Sequence, residues 1–255
     1  METNESFWRK WWNSRSHQTC SDYELDRITS FRDKEIEKLT ESEFLDFVNP
    51  VSRDFVFDAG CGTGVDINRI YSKVKAIIGM DIAEGMIGCC KRRLLTENIN
   101  NTRLLIGSVS NIPLKNDTFD KILCMSVFHY LNNEECETTL KELVRISKDG
   151  AIIVLHIKNV FSLYLSTLYI AKRIKSLFKK NIVMENYRSF KWYEQKLSKL
   201  GANVIDFNST NKFNFEFLPK FLFVWLQKIE ASFNRRRILR KYGADYKMKV
   251  KIIKY

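Results

Sequence analysis

Three glycines at every second position, in the run Asp58–Gly64, have the spacing in this chain that most clearly implies chemistry. Glycine leaves little bulk on a turn, so a ligand can approach the backbone closely. The apolar run Phe55–Phe57 precedes the turn, and the helical pattern after it offers N-terminal amides to a carboxylate or phosphate. Asp81 ends the next apolar run, where a carboxylate can accept hydrogen bonds from ribose hydroxyls. Together these features predict a nucleotide-like ligand.

Alternating apolar runs and helical patterns predict the elements that position these residues. The strands expected in the first part of the chain are Phe55–Phe57, Ala76–Met80, Arg103–Ile106, Asp120–Met125 and Ala151–Leu155. The helices expected between them are Val65–Tyr71, Glu84–Glu97 and Glu134–Ile146. Apolar strands separated by helices are typical of a buried parallel sheet, so we expect a doubly wound α/β fold. Ligands of such folds bind at the carboxyl ends of the strands.

The last third of the chain has a different composition. Residues 158–255 contain 22 Lys and Arg but 6 Asp and Glu, and 22 − 6 gives this part a net charge of +16. The chain as a whole has a net charge of +12, so the rest of the chain is slightly acidic. The pattern predicts helices over Val160–Phe178, Ser189–Leu200 and the span from Leu218 to Phe233, and strands over Ala202–Phe207 and Tyr246–Ile253. A basic segment favours an anionic partner such as nucleic acid or a lipid surface, but charge alone is equally compatible with a solvated surface.

Length and composition exclude several classes of protein. With 255 residues, of which 45% are hydrophobic and 28% charged, the chain suits one large folded domain and is not disordered. The longest apolar run, Asn159–Ala171, is too short for a membrane span, which needs about 20 residues. The polar N-terminus does not resemble a secretory signal. The six cysteines form no CxxC pair, so we expect reduced thiols, a cytoplasmic protein and no metal site.

The run VFDAGCGTG, Val56–Gly64, resembles the first motif of the class I S-adenosylmethionine (SAM)-dependent methyltransferases. Three further segments are similar to later motifs of this family, namely Ile77–Ile87, Gly107–Ile122 and Glu142–Leu155. The resemblance is close from Phe55 to Leu155 and loose beyond, and it is nearest to the small-molecule and lipid branch, of methyltransferase type 11. It implies a Rossmann-like, mostly parallel seven-stranded sheet with an antiparallel last strand and helical additions in the C-terminal third.

The resemblance also implies roles for individual residues, with SAM as cofactor and S-adenosylhomocysteine (SAH) as product. The first motif would hold the methionine part of SAM, Asp81 the ribose, and three residues would border the adenine. The cofactor-binding residues expected are Asp58, Gly60, Cys61, Gly62, Gly64, Asp81, Ile82, Met86, Ser108, Val109 and Ser126. In one respect the chain departs from the family, which often has an aspartate where Ser108 stands, so the adenine contact there is weaker or made by backbone.

The acceptor is less well specified by the sequence. His129 and His156 follow the fourth and fifth strands, so each is a candidate general base for a hydroxyl acceptor. The motifs of the base-amine and cytosine-carbon methylases are missing, since Ser126–Tyr130 replaces the first and no Pro-Cys pair occurs. We therefore expect transfer to a hydroxyl or amine of a small or amphipathic, even lipid-linked, molecule. The alternatives are an RNA methyltransferase that uses the basic third, and a SAM-binding module without activity.

These expectations divide the chain into three parts. Residues 1–50, dense in aromatics near Trp8, would form an N-terminal helical cap, and residues 51–157 the SAM-binding core. Residues 158–255 would complete the sheet and form an acceptor or lid region. Basic amphipathic helices in this last part also suggest peripheral binding to an anionic membrane surface, and nucleic acid is a less favoured partner.

Overall fold

The computed structural model describes residues 3–26, 41–158, 186–210 and 245–254. Its seven strands form one sheet in the order β3-β2-β1-β4-β5-β7-β6, in which β7 runs antiparallel to both of its neighbours and the other strands are parallel to one another. The strands are β1 Phe55–Ala59, β2 Ala76–Asp81, β3 Thr102–Ile106, β4 Phe119–Cys124, β5 Ser147–Lys158, β6 Ala202–Thr210 and β7 Asp245–Ile252. The predicted fold class is confirmed, including the antiparallel last strand.

The described helices cover both faces of this sheet. They are α1 Asn4–Asp26, α2 (41–48), α3 Val65–Ile70, α4 Glu84–Thr96, α5 Asn133–Ile146 and α6 Phe190–Ser198. The helices expected over Val160–Phe178 and from Leu218 to Phe233 lie outside the described residues.

Two hydrophobic layers hold the helices on the sheet. On one face, Phe57 and Ile122 pack with residues of α5 and α6, including Leu140 and Leu197. On the other face, the core contains apolar residues of α2, α3 and α4, such as Phe44, Ile67 and Leu94, against strand residues. Strand side chains alternate between the faces, so both layers draw on the same strands. This packing fixes the ends of β1 to β5, where a ligand site is expected.

One charged residue interrupts the apolar pattern of β4, and the fold explains it. Lys121 is buried, and its Nζ donates to a carboxylate oxygen of Asp54 at 2.8 Å and to the carbonyl oxygen of Asn49 at 2.6 Å. A buried ammonium is tolerated when it is paired and hydrogen-bonded in this way. Lys121 therefore connects β4 to the segment that leads from α2 into β1.

The boundaries of most elements differ from the expected ones by one to four residues, and two of the differences have a clear structural reason. Helix α3 ends at Ile70, and a 3-10 turn over Tyr71–Lys73 continues it. Strand β5 starts at Ser147, earlier than the expected Ala151, because the chain enters the sheet directly after α5. Gly150 has a φ of 73° within this early part of the strand, a left-handed conformation that glycine adopts without strain.

Candidate active site

A cavity of about 330 Å³ lies at the carboxyl ends of the strands. Its walls come from the turns after β1, β2, β3 and β4 and from the N-terminal part of α1. A volume of this size is within the range of small-molecule sites, which is roughly 300 to 1,000 Å³. Because the walls converge from separate segments, the ends of the parallel strands bring together residues that are far apart in the sequence.

Most of the residues expected to bind a cofactor border this cavity. Those that line it are Gly60, Cys61, Gly62, Asp81, Ile82, Met86, Ser108, Val109 and Ser126. Two others do not: Asp58 is buried at the end of β1, and Gly64 caps α3 against Cys90 of α4. The structure thus places the first motif at the cavity but turns its first and last residues into the protein.

The glycine turn has the backbone conformation that its sequence predicts. The φ angles are 75° at Gly60, 52° at Gly62 and 78° at Gly64, all in the left-handed region. A Cβ atom on Gly60 would stand 2.3 Å from a methyl carbon of Val127, whereas one on Gly62 would meet nothing within 4 Å. At Gly60, therefore, the adjacent turn after β4 excludes a side chain, and at Gly62 the space on the turn is open to a ligand.

Asp81 holds the glycine turn and the start of α4 together. One carboxylate oxygen accepts from the backbone N–H of Gly62 and the other from that of Ala83, each at 2.9 Å. Burial raises the pKa of Asp81, while these backbone N–H groups oppose the rise. Each carboxylate oxygen has a second lone pair. Asp81 therefore remains able to accept hydrogen bonds from a ligand in the cavity.

Asp58 lies beneath the turn in an unusual environment for a carboxyl group. It is 2% exposed, and among the described residues its Oδ2 has no hydrogen-bond partner. Burial raises the pKa of Asp58 well above its usual range, and the negative charge of Asp66 adds to the rise. A buried acceptor without a partner is costly, so this oxygen favours a donor or cation supplied by a ligand or by water.

Three aromatic side chains form one part of the cavity lining, which we call the aromatic wall. It consists of Trp8 and Trp12 on α1 and of Tyr130 after β4. The ring centroids of Trp8 and Tyr130 are 4.5 Å apart, and those of Trp12 and Tyr130 are 5.5 Å apart. The Asn4 side chain donates to the carbonyl oxygen of Tyr130 at 3.0 Å, which fixes the start of α1 against this turn.

The aromatic density of the N-terminus predicts a cap but does not indicate which of its residues reach the cavity. The cavity residues that it missed on α1 are Asn4, Glu5, Trp8 and Trp12, and those near the turn after β4 include Val127, Tyr130, Leu131 and Glu135. The spacing of Trp8 and Trp12, one helical turn apart, was the available signal, because residues four apart share a helix face.

The two candidate histidines have different surroundings. His129 is buried and does not border the cavity, and its ring lies against that of Tyr130 at a tilt of 48°, with centroids 4.0 Å apart. His156 does not border the cavity either, but its Nδ1 is 2.9 Å from the hydroxyl oxygen of Ser126, which does border the cavity. His156 is therefore connected to the cavity through one side chain.

All six cysteines are expected to be reduced thiols, and the structure differs from this expectation at one pair. Cys20 of α1 and Cys89 of α4 form a disulfide, whereas Cys61, Cys90, Cys124 and Cys136 are free and buried. The pair was not foreseen because 69 residues separate the two cysteines in the sequence, and only the packing of α1 on α4 brings them together. Among the described residues, no group of three or more His, Cys, Asp and Glu could hold a metal ion.

Comparison with known proteins agrees with this architecture. Residues 56–150 match the model of a family described as a methyltransferase domain. An uncharacterized protein of Methanocaldococcus jannaschii is 27% identical over 71% of this chain and 73% of its own length. A demethylmenaquinone methyltransferase of Lactococcus lactis (26% identical) matches 52% of this chain and 53% of its own length. An 18S rRNA (guanine-N(7))-methyltransferase of Schizosaccharomyces pombe (25%) matches 46% and 43%. The chain thus spans about half of the latter two relatives.

A solved structure extends the likeness to nearly the whole chain. The magnesium protoporphyrin IX methyltransferase of Synechocystis, crystallised with bound SAH, superposes with a TM-score of 0.65 at 16% identity, covering 98% of this chain and 100% of its own. The fold and the glycine turn define a class I methyltransferase with a Rossmann-like sheet. Residues 56–150 thus carry a methyltransferase domain, and the chain shares its fold with an enzyme that has been crystallised with SAM as well.

Proposed function

We propose that this protein transfers a methyl group from SAM to a hydroxyl or amine of a small or amphipathic acceptor. The observation that carries this proposal is the aromatic wall of Trp8, Trp12 and Tyr130, which lines the same cavity as the glycine turn. Aromatic rings offer large apolar contact area together with polar edges, so they suit a flat or amphipathic molecule. The demethylmenaquinone methyltransferase among the relatives bears the name of such an acceptor.

The residues present fit SAM on an observation of this structure. The buried Oδ2 of Asp58 has no partner among the described residues, and the turn above it is open at Gly62. We assign Asp81 to the ribose hydroxyls, the glycine turn to the methionine part, and Ile82, Ser108 and Val109 to the adenine. When bound, SAM supplies an electrophilic methyl group on a sulfonium. The chain must then orient the acceptor and exclude water, which can supply much of the rate.

Helix α1 supports a small acceptor because it stands over the cavity as part of its wall. The backbone N–H of Gly85, in α4, donates to the Asn13 side chain at 2.8 Å, and Cys20 is bonded to Cys89. With Asn4 bound to Tyr130 at the other end, α1 is attached at several points along its length. These attachments make α1 a fixed part of the wall that an acceptor meets.

An RNA acceptor is the second candidate, and the charge of residues 158–255 favours it. Two of these cations, however, are not displayed to solvent as a phosphate-binding surface would require. Lys247 and Lys249 of β7 point their ammonium groups over the rings of Phe44 and Phe47, at 5.8 and 4.9 Å, and burial lowers the pKa of both lysines. Part of the basic character of the C-terminal third therefore serves packing between β7 and α2.

A peripheral position at an anionic membrane stays a prediction from the amphipathic basic pattern. No helix in the described part of the chain is long and apolar enough to cross a bilayer. A lipid-linked acceptor would suit the aromatic wall, and binding of the protein to vesicles of anionic lipid at low salt would support delivery of such an acceptor from a membrane.

The test combines calorimetry with a turnover screen. We expect purified protein to bind SAM and SAH, and not NADH, and to release SAH when it is supplied with SAM and one of a panel of phenols, hydroquinones and aryl amines. An RNA oligonucleotide and anionic vesicles alone serve as the contrasting arms. Turnover of RNA but of no small acceptor would overturn the proposed acceptor class, and failure of folded protein to bind either sulfur ligand would contradict cofactor use.

A further inference from the structure

Three side chains form a line from the cavity wall into the protein. Ser126 borders the cavity after β4, and its Oγ is 2.9 Å from Nδ1 of His156, near the end of β5. The opposite ring nitrogen, Nε2, is 3.6 Å from a carboxylate oxygen of Asp245, the first residue of β7. The side chains of His156 and Asp245 are 15% and 11% exposed, so the inner part of this line is largely shielded from water.

The sheet topology explains why three distant residues meet. In the parallel pair β4 and β5, Cys124 lies opposite Leu155, so the residues that follow both strands emerge at the same edge. In the antiparallel pair β5 and β7, Lys158 lies opposite Asp245, which brings the start of β7 to that edge as well. The line of side chains is thus a consequence of the antiparallel last strand.

The backbone of Ser126 has a strained conformation that supports this arrangement. Its φ is 59°, in the left-handed region that residues other than glycine rarely adopt. Such conformations persist where the surrounding structure imposes them, commonly at functional sites. Here the unusual backbone places the serine hydroxyl between the cavity and the imidazole.

The protonation of His156 decides what this line can do. Burial lowers the pKa of His156, which favours the neutral ring. The charged groups that act on it are Asp245 and Lys247 on β7, Lys158 on β5 and Asp66 on α3, of which the two carboxylates raise its pKa and the two lysines lower it. A neutral ring with its proton on Nε2, facing Asp245, has an unprotonated Nδ1 that accepts the Ser126 hydroxyl proton.

We propose that Ser126 and His156 relay a proton away from the methyl acceptor. The negative charge of Asp245, 3.6 Å from Nε2, favours the tautomer that carries its proton on that nitrogen, through electrostatic attraction and not through a hydrogen bond. This inference rests on the proposed function, because it needs an acceptor that carries an O–H or N–H bond. Ser126 is then the catalytic residue that touches the acceptor, and His156 and Asp245 are positioning residues that act through it.

The step balances without a further reactant. As the acceptor atom bonds to the methyl carbon, the C–S bond breaks and its electron pair stays on sulfur. The proton of the acceptor passes to Ser126 Oγ, and the hydroxyl proton of Ser126 passes to Nδ1 of His156. The resulting imidazolium is stabilised by Asp245 and later releases the proton to water. General-base assistance of this kind contributes about 10²- to 10⁴-fold to a rate.

The first measurement uses the wild-type protein with bound SAH and needs no acceptor. Nitrogen-15 NMR of the histidine side chains reports which ring nitrogen carries the proton, and the His156→Gln variant assigns the signal. We expect a neutral His156 protonated at Nε2 at neutral pH. A proton on Nδ1 would overturn the relay, because that nitrogen could not take the hydroxyl proton of Ser126.

The second measurement is the pH dependence of kcat at saturating SAM, with the phenol or amine of the screen that turns over fastest. We expect kcat to rise with pH as His156 loses its proton, and to fall about 100-fold in His156→Gln with that inflection lost. In Asp245→Asn the inflection should move to lower pH, since the carboxylate raises the pKa of His156. His17→Gln, on an exposed histidine of α1, is the matched control.

The outcomes separate the relay from the proposed function. SAH binding with normal affinity in His156→Gln, together with a loss of kcat, supports the relay. An unchanged pH profile in that variant overturns it while methyl transfer stands. If Ser126→Ala raises only the KM for SAM, the serine is a cofactor contact and the relay is wrong. If wild type binds SAH but turns over no member of the panel, the proposed acceptor class fails, and the relay fails with it.

Discussion

The carboxylate of Asp81, at the end of β2, accepts a hydrogen bond at 2.9 Å from the backbone N–H of Gly62, in the turn after β1. This bond joins the two features by which the sequence predicted a nucleotide-like ligand. It means that Asp81 shapes the glycine turn as well as facing the cavity. A substitution at Asp81 therefore alters two parts of the same site.

We expect Asp81→Ala to weaken SAH binding about 10- to 100-fold. The variant removes a carboxylate acceptor, and a hydrogen bond to a charged group contributes about 1.5 to 3 kcal/mol. Isothermal calorimetry measures the change, with Asp46→Ala, on an exposed aspartate of α2, as the control. An affinity in Asp81→Ala equal to that of wild type would show that Asp81 does not contact the ligand.

Two glycine variants separate backbone strain from steric exclusion. Gly60→Ala and Gly150→Ala both force alanine into the left-handed region, which costs about 1 to 2 kcal/mol. Only at Gly60 would the new methyl group collide with Val127, whose β-branched side chain is stiff. Urea melts should show a larger loss of stability in Gly60→Ala, and SAH binding should fail there but persist in Gly150→Ala. Equal losses of stability would contradict the close contact.

The strands and the cofactor turn could be predicted because local patterns determine them. Apolar runs followed by Asp58 and Asp81 mark strand ends whatever the tertiary structure. The closely spaced glycines that permit left-handed φ angles can be read directly from the sequence. The direction in which side chains point in the turns after the strands could not be predicted in the same way. His129 and Ser126 are three residues apart in one turn, yet the first is buried against Tyr130 and the second borders the cavity. Ser126 also has a left-handed φ of 59°, which a serine in a sequence does not signal.

Relationships that cross the chain were also beyond the sequence. Asp245 meets His156 because β7 inserts antiparallel beside β5, and a pattern of alternating residues gives no pairing partner. Cys20 meets Cys89 because α1 packs on α4. In both cases the local signals were present, but the contact arises from tertiary packing that composition and periodicity do not encode.

Asp58→Asn should change how stability depends on pH. Burial raises the folded-state pKa of Asp58, so the folded protein holds this proton at pH values where the unfolded chain has lost it. The contribution of Asp58 to the free energy of unfolding of wild type is therefore fully present below its pKa in the unfolded chain, near about 4. It is lost as the pH rises through its pKa in the folded protein. Asparagine is neutral at every pH and has no such loss. In ligand-free protein, the free energy of unfolding of the variant should therefore rise relative to that of wild type as the pH increases.

Urea melts of both proteins from pH 5 to pH 8 measure this difference. Asp117→Asn, at an exposed aspartate paired with Lys254, is the control, for which the difference from wild type should stay level. A difference between wild type and Asp58→Asn that does not vary with pH would contradict the raised pKa. SAH binding measured in parallel tests whether a carboxylate is needed at this position by the ligand.

Neighbouring tryptophans of α1 provide a matched test of the acceptor wall. Trp12 borders the cavity and lies against Tyr130, whereas Trp11 does not border it and stacks with Arg15, whose guanidinium carbon is 4.1 Å from the ring centroid. We expect Trp12→Ala to lower kcat/KM for the acceptor about tenfold, in keeping with the ~1.5 kcal/mol of an aromatic contact. Trp11→Ala should lower turnover less, because the Trp11 ring reaches the wall only through its edge contacts with Trp8 and Trp12. Equal effects of both variants would place the acceptor elsewhere.

The disulfide between Cys20 and Cys89 predicts a response to reductant. Alkylation of the unfolded, unreduced chain should modify four cysteines, and alkylation after reduction should modify all six. Because the bond closes a long loop, its reduction should lower the free energy of unfolding by about 2 to 4 kcal/mol. Cys20→Ser should show the lower stability with or without reductant, which makes it the internal control. Six modified cysteines without reduction would restore the expectation of free thiols, and α1 would then be held to α4 by packing and by hydrogen bonds such as the one from Gly85 to Asn13.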